Sequence, residues 1–270
     1  MALLDPRNGS PFDLPPPRED PRVWVMASVP RSGSTLLCRL LWDTGGAGAP
    51  KEYLNPMQLR DWEVRFAASP LARLGYGLLR GRAVALARGQ GWSQERLVAH
   101  LERVRERRSD ASGRFGIKIH YQHFERWFLA RDWSVEEVLA PTRWVRISRE
   151  DRVAQAVSWA RALQSGRWAN HQRGVLPAVY LPRQIDRLVA EIDRQEAGWD
   201  AYFAENHIAP LVCTYEELIA DIPATVRRVL AYLEVPGADR RTVAEPDLVR
   251  QADATSARWI DQYRARTSRG

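Results

Sequence analysis

The chain has 270 residues, 40 Lys and Arg against 33 Asp and Glu, a formal net charge of +7 and 45% hydrophobic residues. That length suits one large α/β domain with a sizeable core, and no composition break demands two. The charge favours an anionic ligand, but the arginines are scattered among acids rather than gathered in a tract, so no nucleic-acid partner is expected.

Only Lys51 and Lys118 are lysines. Cys38 and Cys213 lie in apolar surroundings and read as small reduced core residues, and no Cys/His cluster has zinc spacing. No apolar run reaches spanning length, and the first residues lack a basic start and an apolar h-region. A cytoplasmic protein without a transmembrane segment is the expectation.

Residues 1–22 are Pro-rich and polar, which predicts a loose N-terminal arm ahead of a single domain over 23–270. An apolar strand over about 23–29 then runs into Pro30-Arg31-Ser32-Gly33-Ser34-Thr35, and an apolar helical pattern begins at once and continues to about Asp43. This strand-turn-helix layout aims backbone N–H groups and a helix N-terminus at one point, where a phosphate or sulfate would satisfy them. Laid against G-x-x-x-x-G-K-[ST], Gly33 and Thr35 match, while Ser28 replaces the first glycine and Ser34 the lysine. Arg31 is the one cation in the loop. The stretch therefore suits a charged oxyanion rather than Mg²⁺-triphosphate hydrolysis. An ordinary strand-to-helix turn with capping serines is the competing reading.

A Gly-rich connection over 45–50 leads to Lys51-Glu52, and Glu52 reads either as a carboxylate beside the anion loop or as a solvated loop acid. Residues 58–112 are mostly helical in pattern, with a Gly/Arg-rich middle and a charged helix over about 93–108. A second strand over 115–121 carries Lys118 among apolar neighbours. That lysine either points at an anion or partner, or guards an edge strand against aggregation.

A third strand over 142–148 ends in Arg149, and a helix starts near Asp151. Arg149 and Ser158 are a candidate pair for a second phosphate. Residues 161–202 are rich in Trp and Arg, which suits a substrate wall or an interface. Helical pattern over 182–205, a fourth strand over 211–213 and a helix over 222–233 follow. The segment from Arg250 to Ile260 is basic and hydroxyl-rich, fit either to close over a nucleotide or to fray as a helix. Strands alternating with helices predict an α/β fold: a central parallel sheet flanked by helices, with the site at the strands' carboxyl ends.

The residues also carry a family resemblance. The loop Ala27-Ser28-Val29-Pro30-Arg31-Ser32-Gly33-Ser34-Thr35-Leu36-Leu37, with Thr44-Gly45 and Pro50-Lys51-Glu52-Tyr53, resembles the bacterial trehalose 2-sulfotransferase family. So do Arg149-Glu150-Asp151-Arg152 through Ala162, Glu196-Ala197-Gly198-Trp199, and Arg250-Gln251-Ala252-Asp253 through Arg264. These similarities occur in the family's order.

The resemblance implies the sulfotransferase, P-loop NTPase-like fold and a sulfotransferase using 3′-phosphoadenosine 5′-phosphosulfate (PAPS) as co-substrate, without a metal. Arg31, Ser32, Gly33, Ser34 and Thr35 would hold the 5′-phosphosulfate, Arg149 and Ser158 the 3′-phosphate, and Arg250 would help cover the nucleotide. Glu52 corresponds to the family's general base and Lys118 to the lysine of its second strand; both join Arg31 in the expected catalytic set. A homodimer is also implied. Residues 55–113 and 167–181 do not match the disaccharide-binding positions, so the hydroxyl acceptor is left open among a carbohydrate, a glycolipid headgroup and a small natural product. Two other readings stand beside it: a P-loop-type kinase or nucleotidase, and a non-catalytic nucleotide-binding module.

Overall fold

A computed structural model describes residues 3–72, 89–166, 168, 177–244 and 253–268. Among them, four strands form one wholly parallel sheet in the order β2-β1-β3-β4: β1 Arg22–Ser28, β2 Arg114–His120, β3 Pro141–Ser148 and β4 Leu211–Thr214. Helices α1 Ser34–Asp43, α2 Pro56–Phe66, α3 Gln94–Arg108, α4 Tyr121–Trp127 and α5 Val135–Leu139 precede β3. After it come α6 Arg152–Ser165, α7 Pro182–Glu205, α8 Tyr215–Ala220, α9 Ile222–Tyr232 and α10 Ala254–Thr267. The expected α/β architecture is present, and the second strand stops one residue early because Tyr121 opens α4.

Strands β1 and β2 are buried on both faces, as expected within an all-parallel sheet, while β4 at the other edge leaves Val212 exposed. Side chains alternate across a strand, so Val23, Val25 and Ala27 of β1 and Phe115, Ile117 and Ile119 of β2 enter one core with α3, α4, α7 and α10. Trp24 and Met26 enter the other, with Leu37, Cys38, Leu40 and Leu41 of α1 and Val226, Val229 and Leu230 of α9. Both cysteines are buried and free.

Helix boundaries follow local chemistry. Ser93 accepts from Arg96 N to start α3, Asp151 from Ala154 N to start α6, and Asp253 from Ser256 N to start α10. Pro182 stands at the first turn of α7, where its missing N–H costs nothing.

The arm expected to be loose is fastened over its described part. Asp61, buried in α2, accepts from Leu4 N, Asp5 N and Asn8 Nδ2, all at 2.9 Å. Arg108 of α3, fully buried, donates to Phe12 O and Gly9 O, and Leu14 N bonds Arg107 O. Proline content disfavours long helices and strands here, but it does not exclude contacts. Two short 3₁₀ turns, Pro6–Asn8 and Ser10–Phe12, carry the arm across the body.

Candidate active site

The carboxyl end of β1 delivers the chain into the turn 29–33 ahead of α1. Arg31 adopts φ +68° and Gly33 φ +86°, the first a left-handed conformation unusual outside glycine. Three groups from later in the chain hold this backbone. Gln155 Nε2 donates to Pro30 O at 2.9 Å, Trp199 Nε1 to Ser28 O at 3.0 Å, and the Tyr215 ring lies under Gly33. A Cβ on Gly33 would come within 2.6 Å of Tyr215 Cδ2, so the position needs glycine for space as well as for φ. With Gly33 as N-cap, the first N–H groups of α1 face outward without intrahelical partners. Ser32 Oγ, buried in the loop, has no hydrogen-bond partner among the described residues.

Glu52 stands beside this loop. A parallel bridge joins Lys51 to Ile117, and Lys118 N donates to Lys51 O at 2.9 Å, so the segment runs along the outer edge of β2. Lys118 Nζ then reaches Glu52 Oε1 at 2.6 Å and Thr35 Oγ1 at 2.8 Å. Its side chain is 3% exposed, so it does not act as a solvent-facing guard of the edge. His120, two residues on and therefore on the same face of β2, places Nε2 3.2 Å from Glu52 Oε1. Its Nδ1 lies 2.9 Å from Ser28 Oγ, and Asn55 Nδ2 donates to Glu52 Oε2 at 2.6 Å.

These contacts set the electrostatics. Burial alone would push the Glu52 carboxyl up, but Lys118, then His120 and His123, outweigh it and hold the group well below its ordinary 4.5. Burial pushes His120 below its ordinary value against the pull of Glu52, and pushes His123 down to about 3. Arg31 falls to about 10, through burial first and repulsion from Arg149 second.

The segment that carries Arg149 and Ser158 meets the loop. Arg31 Nε donates to Ser158 Oγ at 2.9 Å and its Nη1 to Trp168 O at 2.9 Å. The Arg149 guanidinium lies 4.6 Å from the centroid of the Tyr215 ring, the same ring that supports Gly33. Arg31, Ser158, Arg149, Lys118, Glu52 and Thr35 are thus linked into one neighbourhood, while Arg250 lies outside the described residues. Sequence reasoning missed His120, His123, Asn55, Gln155, Trp199 and Tyr215 as parts of this neighbourhood. Of these, only His120 had a local signal, its spacing of two from Lys118 on a strand.

Three cations and one carboxylate around outward-facing helix N–H groups make a site that can hold a doubly anionic ligand and accept one proton. Among the described residues, no group of three or more His, Cys, Asp or Glu is placed to hold a metal ion, and no helix is long and apolar enough to cross a membrane.

Comparison with known proteins gives this geometry a family. The Stf0 sulphotransferase model matches residues 23–266. The chain is 30% identical over 269 residues to trehalose 2-sulfotransferase of Mycobacterium tuberculosis, covering 92% of this chain and 96% of the relative. It is 29% identical over 267 residues to trehalose 2-sulfotransferase of Mycolicibacterium smegmatis, covering 91% and 96%. Among solved structures, the sulfotransferase domain from the curacin biosynthetic pathway superposes with a TM-score of 0.46 at 14% identity, covering 90% of this chain and 98% of that one. Retinol dehydratase in complex with retinol and PAP superposes at 0.41 and 12% identity, covering 92% and 79%. The two superpositions are loose, and the weight lies on the sequence relatives.

Proposed function

The chain belongs to the Stf0 sulphotransferase family and is a sulfotransferase enzyme, and on that premise we propose that it moves the sulfuryl group of PAPS to a carbohydrate hydroxyl, with Glu52 as general base. The acceptor named for both mycobacterial relatives is what favours a carbohydrate over the other candidates, and trehalose is the first to try. The reading takes the chain as a cytoplasmic homodimer in which no metal takes part.

The observation that carries it is the bridge made by Lys118, whose ammonium touches both Glu52 and Thr35. It joins the one candidate base to the first turn of the anion-binding helix. The donor set also fits the co-substrate: Arg31, Arg149 and Lys118 offer three cations, Ser158 and Thr35 offer hydroxyls, and Ser32 Oγ is a buried polar atom awaiting a partner.

PAPS supplies an activated sulfuryl group on a phosphate leaving group. In this reading Arg31 and the α1 N-terminus hold the phosphosulfate end, Arg149 and Ser158 hold the 3′-phosphate, and Arg250 helps cover the nucleotide. Glu52 receives the acceptor hydroxyl's proton. Its proton affinity is low while Lys118 pairs with it; drawing Lys118 toward anionic oxygens raises that affinity when it is needed. By analogy with phosphoryl transfer, a loose transition state asks the protein mainly for positioning and charge stabilisation, so a modest base suffices.

Calorimetric titration with 3′-phosphoadenosine 5′-phosphate, against AMP and against Arg149→Ala, tests the site. Binding that needs both the 3′-phosphate and Arg149, together with sulfation of trehalose by PAPS, is the expected result. Binding no tighter than AMP would overturn the co-substrate assignment; tight binding without sulfation of trehalose would overturn the acceptor alone.

A further inference from the structure

Lys51 precedes the proposed base by one residue, and its side chain is spent on the N-terminal arm. Its ammonium lies 2.7 Å from Asp5 Oδ2 and also donates to Asn8 Oδ1, with the Lys51 and Asp5 side chains 13% and 21% exposed. Its backbone is pinned independently, since Lys51 O accepts from Lys118 N at 2.9 Å and from Tyr53 N at 3.1 Å. Lys51 is therefore tied on one side to β2 and on the other to the arm, with Glu52 hanging from the same stretch.

The arm in turn has no freedom of its own at this point. Asp61 of α2 holds Leu4 N, Asp5 N and Asn8 Nδ2, and Arg65 Nη1 donates to Asn8 O at 2.6 Å. Arg65 and Arg108 also converge on Asp13. A buried ammonium demands a partner. Were Asp5 to lose its charge, Lys51 would keep Asn8 and the pull of the Asp61 carboxylate but lose its ion pair, and the two-sided hold on that segment would loosen.

We propose that the arm is part of the catalytic apparatus: Asp5 and Asn8 clamp Lys51 and so keep Glu52 seated against Lys118 and His120. Lys51, Asp5 and Asn8 are positioning residues, since in this arrangement none of them meets the reacting atoms. The proposal rests on Glu52 being the base.

The test uses the full chain with ¹⁵N-labelled histidine. The His120 ring reports where Glu52 is, because Nε2 contacts its carboxylate. His207, in the turn after α7, serves as a distant control. The imidazole shifts are compared in the wild type, Asp5→Asn, Lys51→Met, Lys51→Arg and Glu52→Gln, together with 3′-phosphoadenosine 5′-phosphate affinity and kcat for PAPS with trehalose. Asp5→Asn and Lys51→Met are expected to move the His120 signal in the direction that Glu52→Gln moves it. His207 and nucleotide affinity should stay unchanged, Lys51→Arg should hold His120 near its wild-type position, and kcat should fall roughly 10- to 100-fold, the cost of misplacing a reacting group by about an ångström. A His120 signal unmoved by Asp5→Asn would overturn the clamp. So would a general change in all histidines with loss of nucleotide binding, which would mark the arm as a stabiliser of the fold and nothing more. Failure of the base reading shows separately, as full turnover in Glu52→Gln.

Discussion

Arg31 Nε donates to Ser158 Oγ at 2.9 Å across 127 residues of sequence, tying the turn after β1 to helix α6. In the proposed donor site, an anion bound at either place would compete for that bond. The two halves of that site would then be linked before any ligand arrives, and substitutions on one side are expected to be felt on the other.

Glu52→Gln keeps the size and the Asn55 side of the contact but loses the proton acceptor. Turnover is expected to fall ~10²- to 10⁴-fold, the usual contribution of a well-placed base. Affinity for 3′-phosphoadenosine 5′-phosphate should be retained. Steady-state kinetics with trehalose, paired with calorimetry, separate the two quantities.

Lys118→Met removes the main force holding the Glu52 carboxyl down. Because burial is then opposed only by weaker partners, the histidines, Asn55 and Arg31, its pKa rises, and the acidic limb of kcat/KM moves to higher pH. The stability consequence has a definite sign: a depressed carboxyl contributes stability above its ordinary 4.5 and loses it as pH falls through the lower folded value. Wild-type protein should weaken on acidification below about 4.5, whereas the variant should be weaker already at pH 7, by about 3–5 kcal/mol for a broken buried pair. Urea unfolding at several pH values checks this.

Gly33→Ala places a methyl 2.6 Å from Tyr215 Cδ2 at φ +86°. The expected cost is about 1–3 kcal/mol for the backbone conformation, together with loss of nucleotide affinity as the loop moves. In Gly33→Ala/Tyr215→Ala the clash is gone but φ is unchanged, so affinity should recover only in part. Full recovery would show that the φ requirement is not what matters.

Glu196→Ala, on the helix whose Trp199 holds Ser28 O, should damage the fold. The Glu196 side chain is 6% exposed and receives Arg146 Nη2 at 2.7 Å and Arg152 Nη1 at 2.9 Å. Removing it leaves the Arg146 guanidinium half-paired in the interior, at about 3–5 kcal/mol. Thermal and denaturant midpoints should drop while the surviving folded fraction still binds nucleotide.

The elements of this fold were legible because each rests on local pattern. The apolar run into Pro30-Arg31-Ser32-Gly33, the Asp151 cap and the helical spacing after Ile222 need only a few neighbouring residues. The site was legible as a set of residue types and not as a set of contacts. Lys118 and Glu52 meet because a parallel bridge sets Lys51 beside Ile117, while the β1–β2 register places His120 opposite Ser28, and register is invisible to local pattern. Trp199 and Tyr215 support the loop from the far side of the chain, beyond any spacing rule. Asp61 shows what composition leaves out of the arm: a carboxylate on α2 organises three donors of a segment whose residues predict no structure of their own.

The indole that closes on Ser28 O and the ring that fills the space under Gly33 come from positions 199 and 215, while the loop they hold ends at 35. During synthesis the loop therefore leaves the ribosome long before its supports. A nascent chain that stops short of α7 has the loop's residues without two of the side chains that hold its backbone, and those arrive only as the last third of the protein emerges.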